Sequence, residues 1–269
     1  MTSTRTLDVP DGSLYYEVRG RGPLVALVGA PMDATSFQPL ANLLAADHTV
    51  LTTDPRGIKR SRLADPRQDS TPLLRADDLR RLLTHLDRGP ATVFGSSGGA
   101  ATALALAQSH PETVTAVIAH EPPMAGLVEH GDRLLAQTDD VIATYLRGDV
   151  TGAWTNFLAN ANIALPDGAL EMMIGGERDP QTVADERRWF AHELRQTVAW
   201  TPDIDALRSG RTPIVIGIGQ ESTGQSCDRI SRSLAAKLDL EPVMFPGDHT
   251  GFVEETESFA AQLRKVLTL

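Results

Sequence analysis

Gly95-Ser96-Ser97-Gly98-Gly99 follows a short apolar run, Ala91 to Phe94, and leads straight into an Ala/Leu-rich segment that starts at Gly98. The run fits a buried strand and the segment after it a buried helix, so the five residues must turn one into the other without a loop. In the pattern G-x-S-x-G the central serine sits on a strained strand-to-helix turn, a nucleophile elbow, and the flanking glycines lack the Cβ atoms that would collide across it. Ser97, unlike Ser96, has glycine at both the second preceding and the second following position. Its hydroxyl is expected at the top of a parallel sheet. The Gly98 N–H, at the positive end of the new helix, then points to where an oxyanion would form.

The chain has 269 residues and a formal charge of −10. This length suffices for an α/β domain with an inserted lid, and its core needs no disulfide or metal. The acidic balance, with no basic run, argues against nucleic acid or an anionic membrane as partner and favours a small, mostly uncharged molecule. Cys227 is the sole cysteine, which excludes an intramolecular disulfide and a metal cluster built of cysteines. Met1 to Gly12 has no apolar signal-peptide core, and no run reaches the roughly 18 apolar residues of a membrane span. A cytoplasmic location is expected, and a homodimer is left open.

Short apolar runs alternate with helical segments, the pattern of a mostly parallel sheet covered on both faces. Thr6 to Val9 and Leu14 to Val18, joined by Pro10-Asp11-Gly12, read as an N-terminal hairpin. Leu24 to Val28, Thr49 to Thr53, Ala91 to Phe94, Val114 to Ala119, Ile214 to Ile218 and Val243 to Phe245 complete an expected eight strands. Helices are expected at Phe37 to Ala46, Pro72 to Asp87, Gly98 to Gln108, Cys227 to Lys237 and Glu254 to Leu267. From Met124 to Asp205 the pattern turns wholly helical, which reads as a cap (124–205) inserted after the sixth strand between two parts of a core (1–123 and 206–269). Trp154, Trp189 and Trp200, all the tryptophans of the chain, fall inside it. They read either as a lid over an apolar pocket or as packing between the cap helices.

An elbow serine needs a base. Of seven histidines, His249 is the best placed, because it follows the last strand in Phe245-Pro246-Gly247-Asp248-His249, at the sheet edge where ligands of α/β folds sit. His48, His85, His110, His130 and His192 read as solvated or local packing residues. His120 ends the sixth strand, but it and its neighbour Glu121 point to opposite faces. Two carboxylates compete to orient the histidine. Glu121 lies directly after the sixth strand, where Pro122 restricts it to an extended backbone, and Glu221 lies in the turn after the seventh.

Residues 20 to 123 and 203 to 269 resemble the α/β-hydrolase superfamily, carrying the elbow, the Asp54-Pro55-Arg56-Gly57 turn and the late His249. More narrowly, Gly95-Ser96-Ser97-Gly98, His120-Glu121-x-Pro and the Pro-Gly-x-His loop are similar to zearalenone lactone hydrolase-type enzymes. The resemblance implies an α/β-hydrolase fold and a Ser97-His249-Glu121 triad, because those enzymes take their acid from a glutamate after the sixth strand. Most relatives instead place an aspartate after the seventh strand, where this chain has Ser222. A second oxyanion N–H would come from the loop Gly29-Ala30-Pro31-Met32. Pro31 has none to give, so the donor is Ala30 or Met32, with Ala30 favoured. Met32, Met124, Trp154 and Trp189 are the expected substrate contacts, and Asp54 and Arg56 are expected to fix a turn. Lys59 stands where relatives often have glycine. The implied reaction is hydrolysis of a carboxylic ester or lactone without cofactor or metal. Carbon–carbon bond cleavage or other non-hydrolytic chemistry on the same fold, and ligand binding without catalysis, are the alternative readings.

Overall fold

The computed structural model of the chain describes residues 2–268. All the expected strands form, as β1 (Ser3–Val9), β2 (Gly12–Gly20), β3 (Leu24–Val28), β4 (Thr49–Thr53), β6 (Ala91–Ser96), β7 (Val114–His120), β8 (Ile214–Gly219) and β9 (Val243–Phe245). The strand count needs one correction. A ninth strand, β5 (Arg62–Leu63), pairs with Gly12 and Ser13 of β2, and two residues are too few to show a hydrophobic period. The sheet order is β1-β2-β4-β3-β6-β7-β8-β9, antiparallel through β1, β2 and β4 and parallel from β4 to β9.

In chain order the helices are α1 (Gln38–Leu44), α2 (Pro72–Leu86), α3 (Gly98–Ser109), α4 (Gly131–Leu146), α5 (Val150–Ala161), α6 (Ala169–Ile174), α7 (Pro180–Arg188), α8 (Leu194–Ala199), α9 (Ile204–Ser209), α10 (Ser226–Lys237), α11 (Gly251–Glu254) and α12 (Thr256–Leu267). The single C-terminal helix expected from Glu254 is thus two pieces, because Glu255 leaves helical geometry at φ −113°, ψ 43°. Successive residues of β3 serve opposite faces, as a pleated strand requires. Val25 and Leu27 pack with Phe37, Leu40, Phe94 and Phe259 under α1 and α12. Ala26 and Val28 pack with Leu79, Leu82, Leu104 and Leu234 under α2, α3 and α10. Helix α3 is buried on all sides from Gly98 to Ala107, which its small Ala and Gly residues permit. None of the described helices is long and apolar enough to cross a membrane.

Every element between β7 and β8 is helical; α4, α5, α8 and the turn between α7 and α8 share an apolar cluster around Val141, Tyr145, Phe190 and Leu194, while Leu127 and Leu207 pack into the main core. A π-helical turn, Trp189–Glu193, joins α7 to α8. At this turn the His192 carbonyl accepts the Ser70 N–H (2.8 Å), so a carbonyl that would otherwise serve the helix binds the core instead. Buried Arg75 adds bonds to Ser70 O, Thr102 Oγ1 and Thr197 Oγ1 at 2.8, 2.9 and 3.0 Å. Arg188 spends its guanidinium on three core carbonyls, Arg56 O, Pro66 O and Gln68 O, at 3.2, 2.8 and 3.0 Å. Polar anchors therefore hold the helical insertion down. Arg188→Met keeps the apolar stem but strands those carbonyls, and should lower stability by at least about 2 kcal/mol. Thermal unfolding checks this; an unchanged Tm would show the anchor to be dispensable.

Candidate active site

Ser97 has φ 56° and ψ −122°, a backbone that costs energy in a residue with a Cβ. Its surroundings hold it there. The Ser97 N–H donates to His120 O (2.9 Å) and its carbonyl accepts the Ala100 N–H (2.9 Å). A Cβ on Gly95 would overlap Gly99 O, and one on Gly99 would overlap Val28 O, so both glycines of the elbow are required for the close approach of α3 to β6 and β3. Ser96 is fully buried with its Oγ 3.1 Å from His120 Nδ1, which leaves Ser97 as the serine of the elbow that faces a cavity.

Glu121 comes to His249 by a route that corrects the expectation of an extended backbone. Its φ is +51° despite Pro122. Two bonds to β8 oppose the proline's preference: the Glu121 N–H donates to Gly217 O (3.1 Å), and Glu121 Oε1 accepts the Gly219 N–H (2.8 Å). The second carboxylate oxygen, Oε2, lies 2.5 Å from His249 Nδ1. Burial alone would push the carboxyl up, but the hydrogen bond from His249 and the neighbouring imidazoles outweigh it and hold the group down at about 2. Glu221 is exposed and contributes only its backbone, donating to Gly247 O at 3.0 Å. Ser222 is fully buried beside Glu121, its hydroxyl without a hydrogen bond of standard length. The imidazole loop is set by Asp248 Oδ1, which accepts the Thr250 N–H (2.7 Å) and hydroxyl (2.9 Å).

On the other side of Ser97, Gly98 lies against Ala30, so closely that a Cβ there would press on Ala30 O. The N–H groups of Gly98, Ala30 and Met32 donate to no acceptor among the described residues. Asp54 braces the loop: its Oδ1 accepts the Ala34 N–H (3.0 Å), and both its oxygens take the Arg60 side chain. Arg56 pairs with Asp78 through two bonds of 2.7 and 3.0 Å, so both residues are structural as expected. Asp33 caps its own turn by accepting the Thr35 and Ser36 N–H groups. Lys59 has φ 51°, a conformation that suits glycine better.

Ser97 and His249 share the wall of a cavity of about 120 Å³, closed by Phe157, Leu134, Val141, Leu194 and Val198 from the helical insertion and by Ile230 and Cys227 of α10. None of the four expected substrate contacts is on that wall. Met124 is fully buried in the core. Met32, Trp154 and Trp189 line a second cavity of about 310 Å³. The cause is Glu186, whose Oε2 takes the Trp154 Nε1–H at 2.8 Å while Arg178 holds the same carboxylate from the other side. Trp154 stacks on Trp189 (centroids 5.3 Å), and Phe157 meets both edge-on at 5.7 and 5.1 Å. Phe157 thus forms the face of this aromatic partition that looks at Ser97. Phe157 is one of the aromatic residues of the insertion that the sequence offers as a lid over an apolar pocket, and it is the one on the wall with Ser97.

A family model described as alpha/beta hydrolase fold matches residues 22–173. The chain is 32% identical to the uncharacterized hydrolase YraK of Bacillus subtilis (strain 168), over 97% of this chain and 95% of that protein. It is 27% identical to a zearalenone hydrolase of Bionectria ochroleuca, over 97% and 96% of the two chains. Among solved structures, MGS-M2, an alpha/beta hydrolase enzyme from a Medee basin deep-sea metagenome library, superposes with a TM-score of 0.77 at 18% identity and 98% coverage of both chains.

His120 stands behind this site, fully buried among Phe94, Phe245 and Phe259, with Nε2 unpartnered. Burial pushes its imidazole down to about 4, against the pull of the Glu121 carboxylate. Between its ordinary 6.5 and 4 the unfolded chain holds a proton that the folded chain refuses, so the contribution of His120 to stability falls as pH drops through that window and is constant below it. The loss should approach about 3 kcal/mol. Urea unfolding across pH 7 to 4 measures it, and His120→Gln should flatten the slope; an unchanged slope would rule His120 out as its source.

Proposed function

Because the chain belongs to the α/β-hydrolase fold family, we propose that it is a serine hydrolase that cleaves a carboxylic ester or lactone of a small, largely apolar molecule through an acyl-enzyme. Ser97 Oγ attacks the carbonyl carbon. His249 Nε2 takes the serine proton and returns it to the leaving alcohol, while Glu121 fixes Nδ1–H and stabilises the charged imidazole. The Gly98 N–H and the Ala30 N–H stabilise the tetrahedral oxyanion, typically the largest catalytic term. Water, activated by the same histidine, releases the acid, and the sequence of steps requires no cofactor.

The observation that carries this reading is the 2.5 Å contact from Glu121 Oε2 to His249 Nδ1, on the wall of the cavity that Ser97 enters on a strained turn. A strained serine with an oriented imidazole beside it has little use in a passive binding protein. Residues 124–205 act as the cap over the site, and the side chains they contribute to the cavity favour an apolar acyl or ring group. Trp154 and Trp189 shape substrate choice only through the partition they share with Phe157.

Ser97→Ala should lower turnover of an activated ester by as much as about 10⁶-fold, whereas Ser96→Ala should keep it; the reverse ranking would move the nucleophile. Glu121→Gln removes the charge that stabilises the imidazolium and should cost roughly 10³- to 10⁴-fold in kcat. Glu221→Gln should cost less than about tenfold. Steady-state kinetics of the purified variants separate these outcomes, and a large loss in Glu221→Gln alone would return the acid to the turn after β8.

A further inference from the structure

Cys227 has no part in the proposed reaction, yet its thiol stands beside the two groups that have. One donor atom each from Glu121, Cys227 and His249 lie within 4.8 Å of one another. They come from three separate places in the fold, the end of β7, the first turn of α10 and the loop after β9. Thiolate, imidazole and carboxylate together are a donor set for a borderline or soft cation, not for Mg²⁺ or Ca²⁺. Around one tetrahedral Zn²⁺, with bonds of about 2.0 to 2.3 Å, such donors sit about 3.3 to 3.8 Å apart. Closing the set therefore takes a shift of at most about 1.5 Å from side chains that can give it. Cys227 is half-buried, 3.5 Å from Gln225 Oε1, with its thiol also against the Glu121 carboxylate. His249 lies in a loop with 24% of its side chain exposed. Glu121 stays fixed by the Gly219 N–H. Ser222 Oγ, fully buried beside that carboxylate and unpartnered, offers the outer hydrogen bond that ligating carboxylates ordinarily have.

We propose that Glu121, Cys227 and His249 form a site for one soft or borderline divalent cation, of which Zn²⁺ and Cd²⁺ are the fitting representatives, and that its occupation switches the enzyme off. The cation replaces the thiol proton, which leaves to solvent, and a water from the Ser97 cavity completes the coordination. Inhibition follows whichever imidazole nitrogen binds. If Nε2 binds, its lone pair is used; if Nδ1 binds, the imidazole proton moves to Nε2. Either way the atom that must take the Ser97 proton no longer can. The binding rests on side-chain geometry alone, and its effect on turnover rests on the hydrolase reading.

Titration of the full chain with Cd²⁺, followed by ultraviolet thiolate-to-cadmium absorption, tests it. The absorption should saturate at one equivalent and be absent in Cys227→Ser. In His249→Ala the dissociation constant should rise by roughly tenfold or more, as loss of a ligand in a chelate requires. Turnover of an activated ester should fall over the same Cd²⁺ range and return on adding EDTA. Absence of the absorption overturns the site, and equal affinity in His249→Ala reduces it to a bare thiol and overturns it too. Full turnover at saturation overturns the switch. If the cation-free protein turns over no ester, the hydrolase reading fails, and the absorption titration still decides the site.

Discussion

The end of β7 governs the rest of the upper sheet edge. A strand continued past His120 would send the next side chain to the opposite face, among the small residues of α3. The positive φ at Glu121 stops the strand there, and two hydrogen bonds to β8 hold the carboxylate in place. One oxygen is used up by the Gly219 N–H, so only the other is free to face His249. The same carbonyl edge serves the serine, since His120 O receives the Ser97 N–H. Two neighbouring residues of one strand end thus hold both the elbow and His249.

The elbow could be read from residues alone because it is a backbone requirement: only glycine fits at positions 95 and 99, and that demand shows in the sequence. His249 was legible from its place after the last strand. The contact of His249 with Glu121 instead of Glu221 was implied by the resemblance alone, because each follows a parallel strand and the difference lies in which backbone N–H holds which oxygen. Proline chemistry even pointed the wrong way, toward an extended Glu121. The cavity wall was less legible still. Trp154 and Phe157 are three residues apart on α5 and share a helix face, and the hydrogen bond from Trp154 to Glu186 decides which of them looks at Ser97.

The helical insertion is bound to the core by buried hydrogen bonds as well as by apolar contacts through Met124, Leu127 and Leu207. Arg188 and Arg75 are both buried: Arg188 reaches from the insertion to three core carbonyls, and Arg75 reaches from the core to Thr197 of the insertion while also binding Ser70 and Thr102. Such bonds are directional, so they fix the orientation of the insertion as well as its presence. The wall residues on α4, α5 and α8 inherit that orientation, and with it the shape of the cavity over Ser97.

The order of β6, β7 and β9 along the chain has a consequence for the making of the protein. Serine and glutamate both lie in the first 121 residues, and the strained turn between them closes once β3, β6 and β7 have paired. The histidine arrives only after the whole insertion, β8 and β9 have emerged. A ribosome-bound chain can therefore complete the elbow early, yet in the proposed triad it holds a serine with no base until β9 and the loop after it have been synthesised.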